Sequence, residues 1–107
     1  MFYYYVNEIP TFNVGSVVVS PAALHRAFGV PKVASTDPKV SREYAFLNEQ
    51  GIKLTIYDYK ATSLYSPLLP SSTDFWASEE PFEFEIGGYC NNENAVLELK
   101  ACIKECK

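Results

Sequence analysis

The sequence has little of what most catalytic and metal-binding sites are built from. Its 107 residues include one histidine, His25, and three cysteines, Cys90, Cys102 and Cys106. A single histidine offers no second imidazole for a zinc site and no evident partner for nucleophilic catalysis. The sequence also lacks a paired-carboxylate, nucleophile-elbow or metalloprotease motif. We therefore expect no catalytic residue, no metal and no cofactor, and we place His25 at a helix surface.

Long apolar runs and basic clusters are missing as well. No stretch approaches the roughly 20 apolar residues of a transmembrane helix, and the first residues lack the pattern of a secretory leader. Nine basic against thirteen acidic residues give a net charge of −4, which disfavours direct nucleic-acid binding. The odd number of cysteines is typical of a reducing compartment. The sequence thus predicts a soluble, cytoplasmic protein without membrane or nucleic-acid partners.

The two late cysteines have two interpretations. Cys102 and Cys106 are four residues apart, a spacing at which thiols on one helix face can bind a metal. They also continue an apolar stripe formed by Val96, Leu99 and Ile103, where cysteine behaves as a small hydrophobic residue. The stripe favours packing against a core, and we expect both thiols to be reduced and metal-free.

Aromatic and β-branched residues are abundant, and the clearest pattern lies at residues 52–60. Ile52, Leu54 and Ile56 alternate with polar or tyrosine side chains. A period of two predicts a strand with one buried face. Asp58 continues the apolar face with a carboxylate. It should therefore lie at the margin of the sheet or be paired, because an unpaired buried charge is costly.

Turn and capping signals divide the rest of the chain. Ser20 and Pro21 suit a helix start and Gly29 a helix end, with Leu24, Ala27 and Phe28 as the expected buried stripe. Gly87 and Gly88 are expected to end the last strand. The remaining predicted elements are strands at 2–6, 14–19, 41–47 and 82–86, a turn at 48–51, and a last helix from Asn91 or Asn92 to the end of the chain.

This order of elements predicts one α+β domain over residues 1–107. It has two layers, an antiparallel sheet with two helices packed on one face. Residues 61–81 form a long excursion that contains three prolines and has no sustained period. Ser71 suits the start of a short helix in it, with Phe75 and Trp76 packing downward. The excursion is either a surface loop pinned by aromatic residues or a binding lid.

Two features suit a ligand that carries phosphate. A strand that ends in glycines before a helix exposes backbone N–H groups and the positive end of the helix dipole. Tyrosines beside a lysine suit stacking of a base and contact with a phosphate. The plainer alternatives are a simple turn and a solvated strand face with cross-strand packing. The candidate ligand-binding residues are Arg42, Tyr57, Tyr59, Lys60, Gly87, Gly88 and Tyr89.

Three segments occur together in a familiar arrangement: Ala27-Phe28-Gly29, then residues 42–46 with 54–60, then residues 84–88. The arrangement resembles small bacteriophage-encoded proteins, most of which have no assigned function. Their central strand likewise reads apolar-Tyr-Asp-aromatic-Lys, and their late strand often ends in a sequence like His-Ile-Gly-Gly. Here Glu85 stands in place of that histidine, so no histidine role is carried over.

The resemblance implies a phage accessory protein. For an acidic chain without a catalytic motif, we expect a non-enzymatic counter-defence protein that sequesters a host nucleotide immune signal. The first alternative is an inhibitor that covers a host defence nuclease or effector with an acidic surface including Glu83 and Glu85, in imitation of DNA charge. The second is a small hydrolase. The expected partner is thus a nucleotide-type ligand or a host defence protein in the host cytoplasm, and self-association into a homo-oligomer stays open.

Overall fold

A computed structural model describes residues 2–4, 12–33, 39–88 and 93–105 of the chain. The predicted strand residues 5–6, the start of the last helix, and Tyr89, Cys90 and Cys106 lie outside the described residues. The elements are β1 (Phe2–Tyr4), β2 (Phe12–Val19), α1 (Pro21–Phe28), β3 (Lys32–Val33), β4 (Arg42–Leu47), β5 (Lys53–Tyr57), α2 (Ser72–Trp76), β6 (Phe82–Gly88) and α3 (Glu93–Lys104).

The strands form one antiparallel sheet in the order β1-β4-β5-β6-β2, and the two-residue β3 also pairs with β4. The predicted central strand, β5, is in the middle. Its Ile56 pairs with Tyr44 of β4 and with Ile86 of β6. All three side chains are fully buried, as expected when alternate residues of neighbouring strands face one core.

The helices pack on this one face of the sheet. Leu24 of α1, Phe75 and Trp76 of α2, and Leu99 of α3 belong to the same buried cluster as the apolar strand residues. Ser20 caps α1 by accepting a hydrogen bond from the backbone N–H of Ala23 at 3.1 Å, as its side chain predicts. The two-layer α+β fold is confirmed, and the short α2 adds a third helix to that layer.

Aromatic rings fill the space between α2 and the sheet. The ring of Phe75 contacts Phe82 at 4.9 Å and Trp76 at 5.4 Å between centroids, and Trp76 contacts Tyr44 at 5.7 Å. Most of these pairs meet edge to face, which is the favourable geometry for aromatic quadrupoles. The expected downward packing of Phe75 and Trp76 is therefore present, and it anchors the excursion on the sheet.

Two local predictions are wrong. The last strand was expected to stop before Gly87 and Gly88, but it continues through both of them. Strands on both sides hold this segment, because Gly87 pairs with Asn13 and with Thr55. Pairing with two strands outweighs the low strand preference of glycine. Ala27 is exposed rather than buried, because α1 packs through its first turn, Pro21 to Leu24, and through the half-buried Phe28.

Candidate functional site

Asp58 follows β5 and joins three elements at that end of the sheet. It is 0% exposed. One carboxylate oxygen accepts hydrogen bonds from the backbone N–H groups of Ser41 at 2.8 Å and Arg42 at 3.0 Å. The other oxygen accepts from the Ser41 hydroxyl and from the indole N–H of Trp76 at 3.3 Å. The pairing expected for this residue is therefore present, and it fixes the chain on either side of Asp58.

The hydrogen bonds of this network connect buried protein groups to one another. Burial raises the pKa of the Asp58 carboxyl above its ordinary value, although the hydrogen bonds from Ser41 and Arg42 act in the opposite direction. The Ser41 hydroxyl also lies 2.8 Å from that of Ser72. A protonated Asp58 can thus donate to Ser41 while Ser41 donates to Ser72. Because the carboxyl is inaccessible to solvent, this arrangement positions the surface residues around it rather than contacting a ligand.

The first of those surfaces lies on the sheet face opposite the helices, and we call it the acidic strip. It consists of Glu43, Tyr57, Glu83, Glu85 and Val18. Tyr57 pairs in register with Glu43 on one neighbouring strand and with Glu85 on the other. Glu83 pairs with Val18 one step further along. Glu83 is exposed and Val18 is 63% exposed, so the strip combines carboxylates with apolar surface.

The charge of the strip is concentrated on β6. Burial raises the pKa of the Glu43 carboxyl, and the nearby Asp58 adds to this effect, whereas Lys32 lowers it. Glu43 also has this lysine as its register partner on the neighbouring strand, β3. Glu83 and Glu85, by contrast, pair with residues that carry no positive charge: Val18 for Glu83, and Ser16 and Tyr57 for Glu85.

The second surface begins directly after Asp58, and we call it the apolar prominence. It consists of Tyr59, Lys60, Leu64, Tyr65 and Leu68. Its four hydrophobic members are half of the eight exposed large hydrophobic residues in the described part of the chain, and Leu68 is 95% exposed. The ammonium of Lys60 lies over the rings of Tyr59 and Tyr65, at 5.1 and 5.4 Å from the centroids.

Backbone hydrogen bonds hold the prominence in shape. The N–H of Ser63 donates to the carbonyl of Pro70 at 2.7 Å, closing the loop. Inside it, the N–H of Tyr65 donates to Thr62 at 2.9 Å and that of Leu69 to Ser66 at 3.0 Å. The apolar side chains are thus exposed on an ordered loop, which lowers the entropy cost of binding through them.

The predicted ligand-binding residues fall into separate places. Arg42, Tyr57, Tyr59 and Lys60 surround the end of β5 at Asp58. Gly88 instead pairs with Leu54, three residues from Tyr57 along β5 and thus roughly 10 Å away at the usual strand rise. Gly87 lies between them, and Tyr89 is outside the described residues. Gly87 and Gly88, which were expected to bind a phosphate through open backbone N–H groups, are paired with strands on both sides.

Sequence reasoning missed Glu43, Val18 and Tyr65. Glu43 could have been predicted, since the turn at 48–51 fixes which residue of β4 lies opposite Tyr57. The position of Val18 beside Glu83 follows only from the pairing of β2 with β6, and these two strands are separated by most of the chain. Tyr65 lies in a stretch without periodicity, so no sequence signal placed its ring beside Lys60.

Two further features lie apart from both surfaces. A groove of about 350 Å³ runs between the turn after β4 and the start of α3. Its lining residues are Asn48, Gln50, Ile52, Asn94, Ala95 and Glu98. On the strip face of the sheet, Thr55 is buried and its hydroxyl has no hydrogen-bond partner within the part of the chain that the structure describes. Neither feature includes a predicted ligand-binding residue.

Among residues 2–4, 12–33, 39–88 and 93–105, no group of three or more His, Cys, Asp or Glu side chains is placed to hold a metal ion. In the same residues, no helix is long and apolar enough to span a bilayer. Comparison of the chain with protein-family models and with curated proteins finds no match. The two surfaces that adjoin Asp58 are therefore the candidate functional sites.

Proposed function

We propose that this protein is a non-enzymatic binding protein that inhibits a host defence protein by covering it with the acidic strip. The observation that carries the proposal is the row formed by Glu43, Tyr57 and Glu85 across three neighbouring strands, with the exposed Val18 beside it. Tyrosine is a common anchor of protein–protein interfaces, where the ring provides contact area and a hydroxyl.

The charges of the strip define the complementary partner. Glu83 and Glu85 favour a basic surface, and complementary potentials raise the association rate and suppress wrong partners. A nuclease or another effector that binds nucleic acid presents such a basic surface to the phosphate backbone. A sheet face that presents carboxylates can occupy the basic surface of such an effector in place of nucleic acid. Unlike nucleic acid, it is not a substrate that a nuclease can cut. This agrees with the counter-defence role implied by the phage resemblance.

Reversal of charge on β6 should abolish partner capture. We expect the double variant Glu83→Lys, Glu85→Lys to bind its partner at least about tenfold more weakly in a pull-down from host cells, because like charges then face each other. The matched control is Glu93→Lys, Glu98→Lys, which changes the net charge equally on exposed positions of α3. If both doubles lose the partner alike, net charge rather than the strip controls binding.

A nucleotide immune signal is the second candidate, and one observation favours it. The ammonium of Lys60 lies over two tyrosine rings that are exposed at the surface, a combination that suits base stacking and phosphate contact. It ranks second because Tyr57, one of the residues expected to stack a base, pairs with Glu85, whose carboxylate repels a phosphate. The glycines expected to bind that phosphate are also paired within the sheet.

Calorimetric titration separates the two candidates. If a nucleotide binds, a panel of cyclic dinucleotides, cyclic trinucleotides and cyclic ADP-ribose isomers should contain a ligand with micromolar affinity. Tyr65→Ala should then weaken it by about 1–3 kcal/mol, the usual cost of losing one stacked base. Tyr57→Ala is the control because its ring belongs to the acidic strip. The inhibitor proposal expects no binding from the whole panel.

A further inference from the structure

The two surfaces beside Asp58 have opposite character. The acidic strip reaches this corner through Tyr57, and the apolar prominence starts there with Tyr59. Residues 59–70 contain no Asp or Glu, although the chain as a whole has a net charge of −4. The prominence therefore offers a lysine and exposed leucines where the strip offers carboxylates and an exposed valine.

The backbone at Lys60 supports an interaction role for the prominence. Lys60 has φ = 56°, in the left-handed region. Among the non-glycine residues that the structure describes, it alone has a positive φ. Such a conformation is costly for a residue with a Cβ atom and persists where the surroundings impose it, often at binding surfaces. Here the N–H of Lys60 donates to the Lys39 carbonyl at 2.7 Å. The ammonium of the same residue lies over the two tyrosine rings.

We propose that the apolar prominence docks on the acidic strip of a second copy of this chain. Lys60 of each copy would face Glu83 and Glu85 of the other, and Leu68 would cover Val18. The charge complementarity of the two surfaces identifies the occupant, because one chain carries both halves of the contact. Two such contacts related by a twofold axis form a closed dimer, in which both prominences and both strips are covered.

The dimer has a consequence that rests on the proposed function. Because the second copy covers the strip, it competes with the host protein for the same carboxylates. The protein would then be stored as a dimer and act as a monomer, with partner binding favoured as the chain is diluted. The existence of the dimer does not depend on this consequence, so the two can be tested separately.

Sedimentation equilibrium with reciprocal charge reversals tests the contact. The wild-type chain should dimerise between micromolar and near-millimolar concentration. Lys60→Glu alone and Glu83→Lys, Glu85→Lys alone should each weaken dimerisation about tenfold or more, since like charges then meet. The combination of all three changes should restore it. Lys53→Glu, at an exposed lysine near the opposite end of β5, is the control and should dimerise normally.

Lys60→Gly separates binding from folding. Glycine relieves the left-handed backbone and removes the ammonium, so this variant should melt at or above the temperature of the wild type and yet dimerise more weakly. A merely structural lysine would change both properties together or neither. Leu68→Ser should also give a monomer, and that monomer should still capture the host partner if the strip is the functional surface.

Three results would overturn the dimer. One is a wild-type chain that stays monomeric at the highest concentration. Another is failure of the triple charge reversal to restore what the separate reversals lose. The third is a dimer broken by Leu68→Ser and untouched by every charge reversal, which would mean that prominence meets prominence. Loss of host-partner capture in Glu83→Lys, Glu85→Lys but not in Leu68→Ser would leave the proposed function standing even then.

Discussion

Truncation of Leu99 to alanine should lower the free energy of unfolding by about 2–5 kcal/mol, the range seen when a buried leucine leaves a cavity. Leu99 is 0% exposed and belongs to the cluster in which α3 meets the sheet, together with Val96 and Ile103. The expected loss combines the transfer of the side chain with the unfilled space against β-strand neighbours that cannot collapse fully. Urea denaturation followed by circular dichroism measures it.

Leu97 provides the matched control on the same helix. It lies two residues before Leu99 and is 62% exposed, so Leu97→Ala should change stability by no more than about 0.5 kcal/mol. If the two alanine variants unfold at the same urea concentration, α3 does not pack on the sheet through Leu99. The two-layer arrangement would then need revision.

Replacement of Asp58 by alanine should be comparably damaging, at about 3–5 kcal/mol. The change leaves the backbone N–H groups of Ser41 and Arg42 and the indole N–H of Trp76 without their acceptor. Each buried donor left unsatisfied costs about 1–3 kcal/mol. Asp74→Ala is the control, because Asp74 is exposed in the first turn of α2. Equal effects at both positions would show that the network around Asp58 is not what stabilises this end of the sheet.

The raised pKa of Asp58 also predicts a pH dependence with a definite sign. Between the unfolded pKa of about 3.9 and the higher folded pKa, the folded chain binds a proton that the unfolded chain has lost. The contribution of this group is therefore complete below about pH 4 and is lost as pH rises through the folded pKa. Asp58→Asn does not titrate there, so its stability relative to wild type should improve as pH rises.

Stability curves of the wild type and of Asp58→Asn at several pH values from about 4 to 7 measure this difference. The amide also places its NH₂ group toward at least one N–H donor, so the variant should be less stable than wild type at the acidic end. A gap that widens with rising pH would mean that the four donated hydrogen bonds lower the pKa of Asp58 below its ordinary value.

The regular parts of the fold followed from the sequence because local patterns determine them. The alternation around Ile56 and the cap at Ser20 are properties of a few consecutive residues, and both appear as predicted. The need to pair Asp58 was also visible, since a carboxylate interrupts an apolar face. Its donors were not, because Ser41 and Trp76 are 17 and 18 residues away in the chain.

The site was harder to predict than the fold because it depends on pairing between distant strands. A glycine pair before a helix looks like a turn until β2 and β5 are known to flank it. Tyr57 looks like a stacking residue until Glu43 and Glu85 are known to lie on either side of it. These long-range pairs are the reason why we propose a basic protein surface, rather than a nucleotide, as the partner.

Native mass spectrometry of the protein purified from host cells tests the central claim most directly. Because the method retains non-covalent complexes, it shows whether the chain carries a protein or a small molecule. The acidic strip predicts a complex with a host protein that disappears in Glu83→Lys, Glu85→Lys and persists in Glu93→Lys, Glu98→Lys. A chain that instead carries only the added mass of a nucleotide, unchanged by the reversal at Glu83 and Glu85, would contradict the proposed function.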